Sequence, residues 1–440
     1  MIDQNHATFY IFYTLLCISL IVLYIKIKST EGVVITTKEF RIFQSGFLTG
    51  YSAMILCELM ATASFYSTLY GLSFSLEKIT KLYIVTIVST TVFGLLAEIV
   101  DIGSRKDKCV LSAVLYSISM LSLFFGGHYE MLLMGRVTYG AAAAFHHSSF
   151  EAYIIHEHTT LGFPDDWLTQ TFGLLTHTMT LVAGLAGIIG QTAATSGTMG
   201  PPGLSCALFL VTGIYILIGW NKDSSGPRFM LSNFLYNVNH TVTAAKSNKQ
   251  MLYLLIISAL CETSITIFTF YWAPWMASMI VEEDQTVPFE IVFSTYILAS
   301  MLGNYLHQMY ATSVGTEFAF QAILFASSFA FLLGAMSQTP VMAFAASVVI
   351  YVCIGGYWPS VGSLRGKFVQ PEMRSTSLTL TRVVTLIISI SILTCIHHSP
   401  MLILLTCATL NGAASYFQMM ISQDGASAEI EIGKGSRQTE

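Results

Sequence analysis

The sequence predicts an all-α polytopic membrane protein. Of its 440 residues 54% are hydrophobic and only 10% are charged, against about 25% charged in ordinary soluble domains. The apolar residues also gather in runs long enough for helices to cross a hydrocarbon layer, about 20 residues each. The partner this implies is the lipid bilayer. A net charge of −5 leaves no basic surface to neutralise a phosphate backbone, so nucleic acid is excluded. Eight cysteines are scattered in or beside the apolar runs without the spacing of a zinc site or a disulfide scaffold. They read as small packing residues, and no metal or cofactor is expected.

Thirteen runs follow one another. The first, residues 8–25, has no basic segment ahead of it and is followed by Lys26 and Lys28, which fits a retained anchor helix and not a signal peptide. Six more lie at 43–66, 83–101, 109–126, 130–151, 170–192 and 204–220. The longest interior polar stretch then intervenes, and a second six follow at 250–272, 288–312, 317–335, 339–362, 375–396 and 399–420. The expected organisation is an anchor and loop (1–42), a six-helix bundle (43–220), a linker (221–249), a second bundle (250–420) and a disordered tail (421–440). Within the linker, Met230, Phe234, Leu235, Val238 and Val242 fall on one helical face, as in a helix lying along the membrane interface.

Orientation follows from the basic residues. If "DIGSRKDK" (101–108) is cytoplasmic, alternation places sixteen of the twenty Lys and Arg on that side. Lys78 and Lys81 fall outside, and Arg136 and Arg382 are left within the membrane. This obeys the positive-inside rule and puts the N-terminus outside and the C-terminus in the cytoplasm. The sequon at Asn239 then lies in the cytosol and is expected to stay unmodified.

A repeat relates the two groups of six. Leu-Cys-Glu occurs at 56–58 and again at 260–262, each in the first run of its group. Thr62 and Thr266 extend the match, Phe65-Tyr66 and Phe270-Tyr271 follow after a one-residue gap, and the next runs carry Ser89-Thr90 and Ser294-Thr295 at nearly the same offset. Six-helix parallel repeats are how major facilitator transporters are built, with the substrate site at the midplane. The expected fold is therefore a major facilitator fold of 6+6 helices plus one N-terminal anchor helix.

Ionisable groups deep in a membrane cost several kcal/mol, so they are paired or functional. The deep set is Glu58, Arg136, Glu151, Glu262 and Arg382. Arg136, Gly140 and Ala144 are four apart, so Arg136 either contacts substrate or braces a close helix contact. Arg382 has no acid within one turn, and its planar fork matches the oxygens of a tetrahedral oxyanion. His146 and His147, with His156 and His158 further on, make a histidine-rich helix end. His147 and Glu151 have helical i,i+4 spacing, which suits a metal pair or proton movement. No phosphate-binding glycine loop, nucleophile elbow or His-Glu-x-x-His motif is present, so an enzyme is not expected.

Together "DIGSRKDKC", "GRVTYG", "FEAYIIHEH", "FPDDW", "LCETSITIFTFYWAP", "FSTYILASMLG" and "YWPSVGSLRGKFVQPE" leading to "TRV" resemble the molybdate-anion transporter group of the major facilitator superfamily, in order from about residue 43 to 385. The resemblance covers Glu58, Arg136, Glu151, the His156-Glu157-His158 triplet, Glu262, Pro274, Arg365, Lys367 and Arg382. It also implies the extra helix before the core. Two stretches depart from the group: "LMATASFY" after Glu58, and Gly103-Ser104 before Arg105 where the group has glycine directly ahead of the arginine.

The resemblance implies a secondary transporter importing molybdate or a similar tetrahedral oxyanion across the plasma membrane. On this reading Arg382, Arg136, Glu58 and Glu262 bind substrate, and Glu58, Glu262, Glu151, His146 and His147 are candidates for coupling to H+. Asp101, Arg105 and Lys106 are candidates for a cytoplasmic gate. The same carboxylates and histidines also suit a proton-coupled cation or metal transporter. A facilitator-fold receptor or scaffold without transport is the third reading.

Overall fold

The computed structural model describes residues 4–30, 36–101, 104–125, 128–221, 228–229, 231–279 and 287–437. The chain begins with α1 (Gln4–Thr30), α2 (Lys38–Ala63), α3 (Phe65–Gly71), α4 (Leu76–Ile99), α5 (Arg105–Phe124), α6 (Tyr129–Thr160), α7 (Asp165–Ala194) and α8 (Gly200–Gly219). It continues through α9 (Leu231–Ser247), α10 (Lys249–Ser278), α11 (Phe289–Val314), α12 (Thr316–Ala335), α13 (Pro340–Phe368), α14 (Arg374–Ile396) and α15 (Pro400–Arg437). Two short strands, β1 (Val100–Asp101) and β2 (Arg228–Phe229), pair antiparallel. The stretch expected to be a disordered tail from residue 421 is helical in its backbone as far as Arg437.

Each of the thirteen predicted runs lies on a long helix of its own. Twelve of those helices contain a stretch apolar enough to cross a membrane, so the chain is a multi-pass membrane protein. The thirteenth is α6, whose 32 residues include Arg136, His146, His147 and Glu151. Its polar residues leave it without the uninterrupted apolar stretch that the other twelve contain.

Local chemistry sets the ends. The hydroxyl of Thr37 caps α2 by accepting from the Phe40 amide at 3.3 Å, and Ser104 caps α5 by accepting from Asp107 at 3.1 Å. Thr339 caps α13, with Pro340 in the first turn where a missing N–H costs nothing. The run expected at 43–66 is cut in two: α2 stops at Ala63, Ser64 turns the chain, and α3 begins at Phe65. The Ser64 hydroxyl donates to the Met60 carbonyl at 3.0 Å, a carbonyl that also accepts the Ser64 amide at 3.2 Å.

Two compact units emerge, Met1–Leu231 with Met276–Met301, and Ser232–Trp275 with Leu302–Glu440. In the first, α6 packs on α4 and α5, and α2 on α7 and α8. Gly140 of α6 lies so close to α4 that a Cβ would come within 2.5 Å of Ser89 Cβ. The Ser89 hydroxyl donates to the Val137 carbonyl at 2.7 Å, locking the approach. The anchor helix α1 buries a stripe of Phe9, Tyr13, Leu16 and Leu20 while Ile11, Leu15, Ile18 and Val22 stay exposed. Tyr13 donates to the Gly184 carbonyl of α7 at 2.5 Å.

In the second unit α12 packs on α13 and α15, around a core that includes Leu254, Ile257, Phe320, Tyr357 and Leu364. The linker forms α9, as the polar stretch predicted, but its inward face differs. Thr241 and Ala245 are buried, with Phe234 and Val238 partly so, whereas Leu235 and Val242 are exposed. Met230 lies outside the described residues. The inward stripe follows the i, i+4, i+7 rule through two small residues, which the hydrophobic pattern overlooks.

Candidate functional site

Glu58 lies near the C-terminal end of α2, and two other helices reach its carboxylate. From α5 the Tyr116 hydroxyl donates to Oε1 at 3.0 Å. From α6, His146 Nδ1 lies 3.0 Å from Oε2 and His147 Nε2 lies 3.8 Å from Oε1. The His146 ring is turned out of hydrogen-bonding geometry, so that contact is one of charge and distance. His146 is buried and His147 exposed, and their rings stack with centroids 5.3 Å apart. The i and i+1 histidines converge because the carboxylate approaches between them. Tyr116 is fixed in turn by stacking on Phe209 at 4.6 Å and by the edge of Tyr139 at 5.0 Å. Glu151 is exposed one helical turn beyond His147.

Arg136 is 5% exposed and its guanidinium is already engaged. It donates to Ser119 Oγ at 2.9 Å and lies 4.8 Å from the ring centroids of both Phe65 and Tyr139. Phe65 is the first residue of α3, directly after the break at Ser64. Tyr139 shares a hydrogen bond with Thr62 at 3.0 Å, so Thr62, the repeat residue, serves the same cluster.

The second carboxylate has different company. Glu262 of α10 accepts from the Tyr357 hydroxyl of α13 at 3.3 Å, and the positive charges acting on it are those of Arg365 and Arg382. Neither arginine comes within ion-pair distance of an acid among the described residues. Arg382 is exposed, in the interior of the apolar span Pro371–Ile396, and Arg365 is partly buried. The two halves of the repeat therefore both receive a tyrosine hydroxyl. Imidazoles lie beside Glu58, whereas the cations that act on Glu262 are two guanidiniums beyond ion-pair distance.

Among the gate candidates, Lys106 is buried and donates to the Trp220 carbonyl at 2.5 Å, which places its charge at the C-terminal end of α8. Arg105 is partly buried. The side chain of Asp101 lies outside the described residues. The "HEH…FPDDW" motif is built into this same end of the unit. His158 Nε2 lies 3.0 Å from the Pro164 carbonyl, Glu157 accepts from Asn221 at 2.8 Å, and Phe40, Phe163 and Trp167 pack together. Among the described residues no group of three His, Cys, Asp or Glu side chains is placed to hold a metal ion.

A family model described as sugar transporters with 12 transmembrane segments, of the major facilitator superfamily, matches residues 8–356. The chain belongs to this family. Facilitator relatives include the molybdate-anion transporter of Takifugu rubripes, 24% identical over 403 residues, covering 82% of this chain and 81% of the relative. The molybdate-anion transporter of Xenopus tropicalis is 27% identical over 357 residues, covering 78% and 76%. Among solved structures the nucleoside transporter NupG aligns with a TM-score of 0.63 at 13% identity, covering 86% of this chain and 98% of its own. The peptide transporter POT in complex with sulfate gives 0.64 at 12%, covering 87% and 94%. The fold is the major facilitator fold, and this facilitator is a membrane transporter and not an enzyme.

Sequence reasoning named Glu58, Glu262, Arg382, His146 and His147 as candidates without dividing them; the structure puts the histidines beside Glu58 and makes Arg382 one of the charges acting on Glu262. It missed the tyrosines: Tyr116 and Tyr357 lie 58 and 95 positions from the carboxylates they serve. A buried tyrosine needs a hydroxyl partner, and that requirement was the only signal available. It also missed Glu290, 5% exposed in the first turn of α11.

Proposed function

We propose that this facilitator imports a tetrahedral inorganic oxyanion of the molybdate class, by alternating access of its two six-helix halves (43–220 and 250–420) and with coupling to protons. Arg382 carries the reading. A guanidinium inside an apolar span, exposed and without a hydrogen bond or ion pair among the described residues, is held there at a cost of several kcal/mol unless a ligand completes it. With Arg365 it supplies two positive charges near Glu262, and a guanidinium fork fits adjacent oxyanion oxygens. Resemblance to the molybdate-anion transporters named above points to the same substrate class.

Uptake of a dianion against an inside-negative potential costs about 2.3 kcal/mol per charge per 100 mV, so coupling to cations or counter-anions is needed, and protons are the coupling ion in this reading. Glu58 between His146 and His147 is the proton-exchange group in this scheme, and Glu262 is the carboxylate that anion binding neutralises. Arg136, with its hydrogen bond and two aromatic faces, braces α6 against α5 and α3 and stays off the substrate path. Resemblance to the molybdate-anion transporters supports the plasma membrane, and the distribution of Lys and Arg supports an N-terminus outside and a C-terminus in the cytoplasm.

Purified protein in proteoliposomes should take up radiolabelled molybdate down an imposed proton gradient, with competition by tungstate and sulfate. Arg382→Ala should lose that uptake by at least about a hundredfold, as for a charge-assisted contact of roughly 3 kcal/mol. Full molybdate uptake by Arg382→Ala would remove the anion site. The contact of Glu58 with two imidazoles favours a second reading, a proton-coupled cation or metal transporter. Uptake of divalent metal with none of molybdate would establish it.

A further inference from the structure

α11 opens with an acid that the scheme above does not use. Glu290 is 95% buried by its 5% exposure, and no cation among the described residues acts on it. The stretch that leads into it, residues 276–288, contains no Lys, Arg or His. On α7 its stem lies against Gly190, where a Cβ would come within 3.0 Å of Glu290 Cγ. One turn along, Ser294 fills the space a Cβ on Gly187 would need, and its hydroxyl donates to the Ala183 carbonyl. Leu59 and Ala63 of α2 close the crevice, which has no room for a water molecule.

The groups that face Glu290 are few. α1 contributes the phenol of Tyr10, and α3 places Tyr66 against the neighbouring Phe289. The α2 and α7 residues lining the crevice carry no titratable group. Among the described residues the carboxyl group's one polar contact is the amide of Glu290 itself. A first-turn position favours an anion through the helix dipole, but that gain is a fraction of the cost of an unpaired buried carboxylate. The neutral acid is the form that this packing accommodates.

We propose that Glu290 is a proton-binding site whose loaded form holds the first half of α11 against α7, so that release of the proton separates the two helices there. Under the topology proposed above this contact lies toward the outer face, and the proton leaves to the external solution. The inference does not depend on which ion is carried, because its readout is structural.

Hydrogen exchange on the full chain in lipid nanodiscs tests it. Corrected for intrinsic rates, peptides covering 183–194 and 289–297 should lose about tenfold in protection between pH 5 and pH 9 in the wild type. Glu290→Gln, an uncharged mimic of the loaded acid, should keep the low-pH protection throughout. Constant protection in the wild type, or a Gln variant that follows the wild type, overturns the proposal. A second measurement stands apart from the variant's packing. Infrared difference spectra across the same pH range should contain a protonated-carboxyl stretch that Glu290→Gln removes, and an unchanged band overturns the site as well.

Discussion

Arg136 and Arg382 are both guanidiniums in the middle of long helices, α6 and α14, and their surroundings separate them. One has a serine and two aromatic rings, the other has no ion pair or hydrogen bond among the described residues. Arg136→Lys keeps the charge but loses the planar face between Phe65 and Tyr139, which is worth about 1–2 kcal/mol when desolvated. The melting temperature of the purified protein should fall, while the KM for uptake per folded molecule stays at the wild-type value. A raised KM at unchanged stability would return Arg136 to the binding site. The sequence put both arginines inside predicted spans. It could not separate them, because the decisive neighbours, Ser119 and Phe65, meet Arg136 from other helices, a contact that no single segment encodes. Glu290 escaped notice for a related reason: an acid two residues after Pro288 looks like ordinary helix-start chemistry. Burial, which makes it unusual, is not written locally.

At the scale of the elements, helix existence was legible and helix faces were not. Runs of apolar residues gave thirteen helices because length and hydropathy are properties of one segment. Which face turns inward depends on neighbours, and α9 turned Thr241 and Ala245 inward in place of Leu235 and Val242. α6 is the extreme case. Its small residues are useful for packing: Gly140 admits the α4 backbone, with Thr86 O only 2.7 Å from where a Cβ would lie. Gly140→Ala should therefore overpack the α4–α6 contact and cost about 1–3 kcal/mol, seen as a lower folded yield and melting temperature. Gly94→Ala on α4, where a Cβ meets nothing within 4 Å, is the matched control and should be neutral or slightly stabilising. Equal losses at both positions would mean that helix packing at Gly140 is looser than these distances require.

For the whole molecule, charge asymmetry is the most informative part of the sequence. In the proposed topology sixteen of twenty Lys and Arg fall on one side, an asymmetry that needs no pairwise contact to be read. That topology puts the exposed Asn239 of α9 in the cytosol, so expression in a glycosylating cell should leave the mass unchanged by glycosidase. A glycosidase-sensitive shift that Asn239→Gln abolishes would invert the orientation. The division of the chain was less legible. Sequence drew one boundary at the linker 221–249, whereas residues 276–301, which belong to the second six by order, pack with the first unit. The chain leaves and re-enters the second unit inside helices, just after Pro274 and just before Gly303. A proline removes one helix hydrogen bond, and no polar stretch marks either place.

The anchor helix α1 bears on how this protein can be handled. Its buried stripe covers one side of α7, and Tyr13 supplies the proton donor that the Gly184 carbonyl receives outside its own helix. Trimming the chain to twelve spans would hand lipid an apolar strip shaped for another helix and strip that carbonyl of its extra donor. Fusion tags belong at the other terminus, and a shortened chain made for crystallisation should be expected to dimerise through α7 or to precipitate.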